Sequence, residues 1–559
     1  MEKITNKFKL NRIDIRLVIL TVCFIGAAFI DMGRTNGNWD VWRNANRCLG
    51  LIVAAVSLCT TGIGKKRLLP YGIASAVSLL LILTVPVWPF EIVPWHRADA
   101  RLIVLNVLVI GIAFIEALVL RIGKIRNTED GFKGVFSNPG RLFIDNYIGI
   151  TAVVFWLLAT VSPNHTYWPG YSLILLILLL LTPFSKEDLI RTVKGFALGT
   201  VIGFLAIQTI AWGFRPYTKE MIRYSGFYFN SNMLDLICLT VLVICLFGMY
   251  ASLKEDKPRI LKTVISVATA ALAISLIVMS MGRLSIVLAF GFAGIFMILL
   301  LIFLKGKRKR VLKLWGICIA SLIVAFPITF ASVEYLPRIL KHPIVINYDY
   351  NWVDLENPDN YVTVEDFIDE FGDRSKKLVT VTEKNDSSTD DANVSQTGPN
   401  PLIDYSKIKD PDFSEDKYYA SYAKRHSGIK VRIVIWKTYL HNLNLTGHNP
   451  DEMRLYYSPY KQTYHAHNIF INTAYLYGIP AGILFMISVA EILVTLVCGF
   501  IRRKDNVYIG TVFGAIILLT VFGLAELDWQ FGQLLWFALL LVQGMLKCDA
   551  GCSKNEHML

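Results

Sequence analysis

Apolar runs of about twenty residues recur along most of this chain, and they limit what it can fold into more than any other feature. A run of that length, coiled at about 1.5 Å per residue, crosses the ~30 Å hydrocarbon core of a bilayer. Inside hydrocarbon every backbone N–H and C=O must be satisfied within the protein, so the runs are read as helical spans. They fall near 15–32, 47–63, 69–89, 101–120, 147–162, 170–183, 191–212, 232–251, 262–281, 284–304, 311–331, 469–499, 507–526 and 531–546. The stretches 147–162 and 170–183 are short and are candidates for re-entrant segments, so the expected number is twelve to fourteen. Composition agrees: with 54% hydrophobic and only 18% charged residues, a soluble domain of this length could not cover its apolar surface. The expected fold is an all-α polytopic membrane protein with one large extracytoplasmic loop.

Orientation follows from the lysines and arginines of the short loops. The N-terminal segment (Lys3, Lys7, Lys9, Arg12), Lys65-Lys66-Arg67, the 121–141 loop, Lys305–Arg310 and Arg502-Arg503-Lys504 are all basic. With fourteen spans they share one side, which is then cytoplasmic, as are both termini. Membrane helices are expected over 1–331, an external loop over 332–468, further membrane helices over 469–546, and a cytoplasmic tail over 547–559. No cleavable signal peptide is visible, and the first span is long enough to remain as an anchor. The net charge of +13 divides unevenly: between Val333 and Tyr464 the chain is −5, leaving +18 elsewhere. That excess is the positive-inside pattern together with contact to anionic lipid, and it implies no nucleic-acid partner. None of the nine Cys lies in the external loop, so the loop is not disulfide-stapled. Cys548 and Cys552 have no neighbours at metal-ligand spacing and read as reduced thiols.

Within the external loop, Thr363 and Asp366 ahead of Phe367 read as a capped short helix. Leu378 to Thr382 alternates weakly like a strand, and 385–401 is polar and without periodicity. Val431–Asn442 has helical spacing that puts Arg432 and Trp436 on one face.

Four places carry residues suited to chemistry. The run Thr263–Leu304 is too long for one span and has a single charge, Arg283, at its middle, which predicts a tight helical hairpin with Arg283 at its apex. Arg283 is either an arginine snorkelling to the interface or an anion ligand between two helix ends; the second is favoured because lysine would snorkel equally well. The 214–234 segment gathers Arg215, Lys219 and Arg223 beside Tyr224, Tyr228, Asn230 and Asn232, a set suited to phosphate and sugar but equally to an interfacial belt. His465-Ala466-His467-Asn468 stands where the polar loop opens into a long apolar helix, Ile469 to Phe500. A histidine there can take a proton from a sugar hydroxyl near neutral pH, while Asn468 reads equally as a helix cap. Two positions apart at a helix start, His465 and His467 are expected to face differently and not to share a metal. The acidic pairs Asp410/Asp412 and Asp390/Asp391 read as solvated surface rather than a metal site, and neither metal nor cofactor is expected.

These pieces resemble, in order, the O-antigen ligase and polymerase family of bacterial membrane glycosyltransferases. Arg223-Tyr-Ser-Gly226 through Asn230-Ser-Asn232 is similar to the family's Arg…Gly…Asn…Asn segment. Ser280-Met-Gly-Arg283 is similar to its Ser/Gly-Arg turn, with Gly282 where serine is usual. Arg432 to Trp436, followed by Gly447, resembles the end of its large loop. His465 through Gly482 resembles its Ala-His-Asn box and the following Gly-Ile-x-Gly, the most specific of the four. The resemblance covers about span seven to the C-terminus and implies a GT-C-like bundle in a bacterial cytoplasmic membrane with an extracytoplasmic active site. It implies transfer of a saccharide from an undecaprenyl-pyrophosphate carrier to a glycan or lipid-glycan acceptor, as a ligase or a polymerase. Arg223, Arg283 and Arg432 would hold pyrophosphate, His467 would be the base and Asn468 its orienting partner. His465, Asn230, Asn232 and Trp436 would be further substrate contacts. A lipid-linked oligosaccharide flippase and a non-catalytic polysaccharide scaffold are the rival classes; candidate residues gathered at one face, rather than in repeated halves with midplane sites, favour the enzyme.

Overall fold

The computed structural model describes residues 14–32, 41–61, 95–126, 139–164, 168–341, 357–383, 429–502 and 507–524, except positions 183, 220, 221, 229, 256–259, 454, 459, 460 and 464. The expected spans 69–89 and 531–546, the N-terminal lysines, the 385–401 stretch, both acidic pairs and the tail cysteines lie outside these residues.

Almost everything described is helix: α1 (Ile15–Met32), α2 (Val41–Thr60), α3 (Trp95–Arg126), α4 (Pro139–Val161), α5 (Trp168–Leu181), α6 (Lys186–Phe214), α7 (Ser231–Lys254), α8 (Ile260–Ser280), α9 (Arg283–Phe303), α10 (Arg308–Leu340), α11 (Val364–Glu383), α12 (Ile429–His441), α13 (Ile469–Tyr477), α14 (Ile479–Arg502) and α15 (Val507–Gly523). A small antiparallel hairpin, β1 (Leu455–Ser458) and β2 (Lys461–Thr463), precedes α13. Five of the described helices, those ending at Phe214, Lys254, Ser280, Phe303 and Leu340, are long and apolar enough to cross a membrane. Ile, Leu and Phe side chains stand exposed along α9 and α10, as at Ile295, Ile302, Ile323 and Ile328. Such surface would be costly in water, and it marks a membrane-embedded protein.

The packing follows from local sequence. Helix α6 starts at a capping box in which Ser185 and Asp188 exchange backbone bonds at 3.2 Å. Gly195, Gly199 and Gly203 lie four apart along α6 and let α1 lie against its backbone; a Cβ on Gly199 would come within 2.7 Å of Thr21 O. Helix α7 is central and mostly buried, with α8, α9 and α15 around it. The bundle has two unlike ends. One carries Lys305, Lys307, Arg308, Lys309 and Arg310; the other, here the loop end, gathers 215–230, the α8–α9 turn and the loop segments before α13. There Val362 N donates to Tyr217 O at 3.1 Å and Tyr224 N to Met279 O at 3.1 Å.

The hairpin expected around Arg283 is present as α8 and α9, with Arg283 the first residue of α9. The Thr363–Asp366 cap is also present, both its backbone bonds being made, at 2.9 and 3.1 Å. Its helix is not short, however. Helix α11 continues to Glu383 and absorbs Leu378–Thr382, so the weak alternation there is no strand. Both stretches that were candidates for re-entrance are helices, α4 and α5.

The long helix expected from Ile469 to Phe500 is broken at Gly478. Pro480 has no N–H to give Leu476 O its helical bond, and the 444–448 turn supplies the missing partners. His448 N donates to Leu476 O at 3.2 Å, and Ile479 N turns to Asn444 O at 2.9 Å. The His448 Nδ1–H bonds Tyr475 O at 2.7 Å, and its ring stacks on Tyr475 with centroids 3.8 Å apart. Gly447 (φ 92°) and Gly478 (φ 93°) meet backbone to backbone, and a Cβ on either would run into the other strand of chain. Gly478→Ala is therefore expected to cost at least about 1–3 kcal/mol. Thermal unfolding of the purified protein in detergent checks this.

Candidate active site

The α8–α9 turn is built around a buried carboxylate. Asp235, one turn into α7, is 0% exposed. Its Oδ2 accepts from Ser285 Oγ at 2.7 Å, and its Oδ1 from Ser280 Oγ. Between those serines Met281 has φ 54°, and Gly282 passes so close that a Cβ there would collide with Asp235 Oδ2. This accounts for glycine immediately before Arg283: the carboxylate occupies the space of a side chain. A charge in an otherwise apolar helix is expensive unless it is bonded, and here its two oxygens hold the two sides of one turn.

Arg223 fastens to the same turn. Its Nε donates to Ser280 O at 2.9 Å, and its Nη2 to Asn232 Oδ1 at 2.9 Å. Arg283 is the residue after Gly282 and is half-buried, so it begins its helix at the turn to which Arg223 is bonded. Arg432 arrives from α12, and its pKa is held below the ordinary guanidinium range by burial and then by the Arg223 charge. Two cations near enough to disfavour each other's charge form an anion-attracting site.

The histidine pair completes this end. Thr463 Oγ1 donates to His465 O at 2.8 Å, Ala466 N donates to Asn472 Oδ1 at 3.0 Å, and Ala466 is fully enclosed. His467 has φ 48°, a left-handed conformation uncommon for a residue with a side chain. The strapped backbone and that φ bring the two imidazoles together, with ring centroids 4.2 Å apart at 66°. This corrects the expectation that they face differently, which assumed regular helical geometry before α13. Burial pushes His465 down to about 4. Burial, then His465, then the Arg432 charge push His467 down to about 3. Both imidazoles are thus neutral over the physiological range. Among the described residues no three His, Cys, Asp or Glu side chains are grouped to hold a metal.

The structure therefore brings Arg223, Arg432, His465 and His467 into one electrostatic cluster, with Arg283 on the turn to which Arg223 is bonded. Asn468 serves the helix: its Oδ1 accepts from Phe470 N and Ile471 N at 3.0 and 3.1 Å, and its Nδ2 donates to Leu524 O at 3.0 Å. Asn230 likewise caps α7, accepting from Met233 N at 2.9 Å. Both are positioning residues in this geometry. Trp436 lies one turn beyond Arg432, and its indole N–H is buried without a hydrogen-bond partner among the described residues. Arg215 and Lys219 serve the architecture: Arg215 Nε donates to Gly226 O at 2.8 Å, and Lys219 pairs with Asp366 at 3.1 Å. Asp235, Ser285 and Asn472 are not among the residues singled out from the sequence, and Ser280 enters there only as part of the turn before Arg283. A carboxylate one turn into an apolar helix was the available signal.

A comparison with known protein families and characterised proteins finds no match to this chain.

Two outcomes test the geometry. Gly282→Ala and Asp235→Ala should each destabilise, but the double variant by less than their sum, with a coupling above about 0.5 kcal/mol because removing the carboxylate makes room for the new methyl. Denaturation of the three variants in detergent measures it. The lowered histidine pKa values also carry a pH dependence. The unfolded chain takes up protons near the ordinary 6.5 while the folded chain does not, so the folded state loses stability as pH falls from about 6.5 towards 4. The melting temperature of His465→Gln/His467→Gln should fall less steeply across that window than that of the unaltered protein.

Proposed function

We propose that this chain is a membrane glycosyltransferase of the O-antigen ligase and polymerase type, with a GT-C-like bundle. It would move a saccharide from undecaprenyl pyrophosphate to an acceptor hydroxyl in building a cell-surface polysaccharide. The observation that carries the reading is the meeting of Arg223, Arg432 and His467 at the loop end, beside the turn that begins α9 with Arg283. Residues this far apart in sequence converge on one polar site where lipid, loop and solvent meet. The lysine and arginine bias of the short loops favours the outer face of the cytoplasmic membrane for that end.

In the proposed step the acceptor hydroxyl oxygen attacks the anomeric carbon of the donor sugar. The bond from that carbon to the pyrophosphate oxygen breaks, its electron pair leaves with the pyrophosphate, and His467 takes the acceptor proton. Pyrophosphate leaves well without protonation when its charge is met by fixed donors, which Arg223, Arg283 and Arg432 supply as guanidinium forks. Pushed down to about 3 by burial, then by His465 and Arg432, this imidazole is a poor base. Pyrophosphate seated on the arginines cancels the charge that contributes to that depression, so donor binding itself raises the basicity of His467. The left-handed backbone at His467, held by the Asn468 cap and the Asn472 bond, fixes the ring's direction.

Membranes from cells expressing His467→Ala or Arg283→Ala should hold normal amounts of inserted protein and transfer no glycan from a lipid-linked donor; normal product from either rules the assignment out. Titration of purified, histidine-labelled protein with inorganic pyrophosphate should move the NMR pKa of His467 upwards, and Arg223→Gln should remove that response.

A further inference from the structure

An apolar opening lies in the half of the bundle away from the histidines. It is a cavity of about 220 Å³ between α7, α9 and α15. Phe247 and Tyr250 form one wall, Phe292, Phe296 and Phe303 line α9, and Gly514 forms part of the back. Gly514 creates the recess: a Cβ there would reach 3.0 Å from both Phe292 and Val243, so a larger residue would crowd the opening. The groove opens sideways, since its lining residues Ile295 and Phe303 are 61% and 52% exposed.

Three features together select an occupant. Along α9 the lining runs from Phe292 to Phe303, about 16 Å of helix, close to the ~15 Å of hydrocarbon in one leaflet. Its upper end begins about 14 Å along α9 from Arg283, so the groove occupies the opposite half of the bilayer from the arginine cluster. Its lower end meets the basic end of the bundle. There Lys307 Nζ donates to Lys254 O at 2.8 Å, one turn below Tyr250, and Arg308 Nε donates to Leu301 O at 3.1 Å, beside Leu300 and Phe303. Lys305 is exposed between them. An apolar slot one leaflet deep, ending at cations on the helices that wall it, matches one chain and the headgroup of an anionic lipid.

We infer that the α7–α9–α15 groove is a binding site for an anionic phospholipid of the leaflet at the basic end, with an acyl chain along Phe292–Phe303 and the phosphate beside Lys305 and Arg308. The inference does not depend on the proposed glycosyl transfer. Such a lipid fills the space that α9 leaves beside α15, and so steadies the helix that begins with Arg283.

The full chain in detergent, mixed with phosphatidylglycerol or with phosphatidylcholine of the same acyl chains, is read by native mass spectrometry and by melting temperature. Phosphatidylglycerol should be retained and should raise the melting temperature, and phosphatidylcholine should do so more weakly. Lys305→Gln/Arg308→Gln, which leaves the Lys307 contact intact, should cut the preference for phosphatidylglycerol by about tenfold. Ile295→Trp, placed at the exposed rim so that the ring fills the groove without disturbing the core, should abolish retention of both lipids. Equal retention of the two lipids by the unaltered chain overturns the assignment, as does retention that survives Ile295→Trp. Displacement of phosphatidylglycerol by an equimolar long-chain polyprenyl phosphate also overturns it, because the groove would then belong to a substrate tail.

Discussion

Backbone hydrogen bonding without water to fall back on governs where this chain can depart from a helix. Each departure at the loop end is matched by a substitute bond. At the break at Gly478, the donors missing for Tyr475 O and Leu476 O are replaced by His448, and Ile479 N is received by Asn444. At the α8–α9 turn, the carbonyls of Met279 and Ser280 accept from Tyr224 N and Arg223 Nε. The substitutes come from distant segments, so irregular backbone, polar side chains and long-range contacts concentrate in the same place. That concentration makes the loop end the candidate site.

Electrostatics then sort the residues gathered there. Asp235 is buried, bonded by two serines and within reach of the Arg223 charge, so it holds the turn and leaves the more exposed guanidinium groups to attract an anion. Arg432 adds a cation against the Arg223 charge, and the enclosed histidines answer by staying neutral. An anion between the arginines would offset the charge contributions at Arg432 and His467, while burial, the larger cause at both, stays.

Much of this was legible along the chain. The hairpin around Arg283 followed from one charge in a run too long for a single span, and the α11 cap from Thr363 and Asp366. The helix carrying Arg432 and Trp436 followed from its spacing. Each depends on residues within a few turns of one another, where periodicity and capping carry the information. The failures share a different cause. Leu378–Thr382 was misread because five residues of alternation are too few to oppose the helix running into them. The helix beginning at Ile469 was read straight through because Gly-Ile-Pro alone does not reveal that the 444–448 turn will take over its carbonyls. The role of Asp235 was missed because its partners lie on α8 and α9, and nothing local marks Ser280 and Ser285 as its donors.

The sequence by itself determined that this is a helical, membrane-embedded chain with long apolar helices, and which residues are chemically capable of binding an anion or moving a proton. Those properties reside in runs, charges and caps that act over one or two helical turns. Only the tertiary structure decided that His465 and His467 touch and that Asn468 and Asn230 serve as caps. It also decided that Gly282 is glycine because a carboxylate fills the space beside it, and that Arg223 is bonded to the turn before Arg283 with Arg432 brought against its charge. These facts depend on segments separated by tens to hundreds of residues meeting at the few points where a membrane helix is permitted to break.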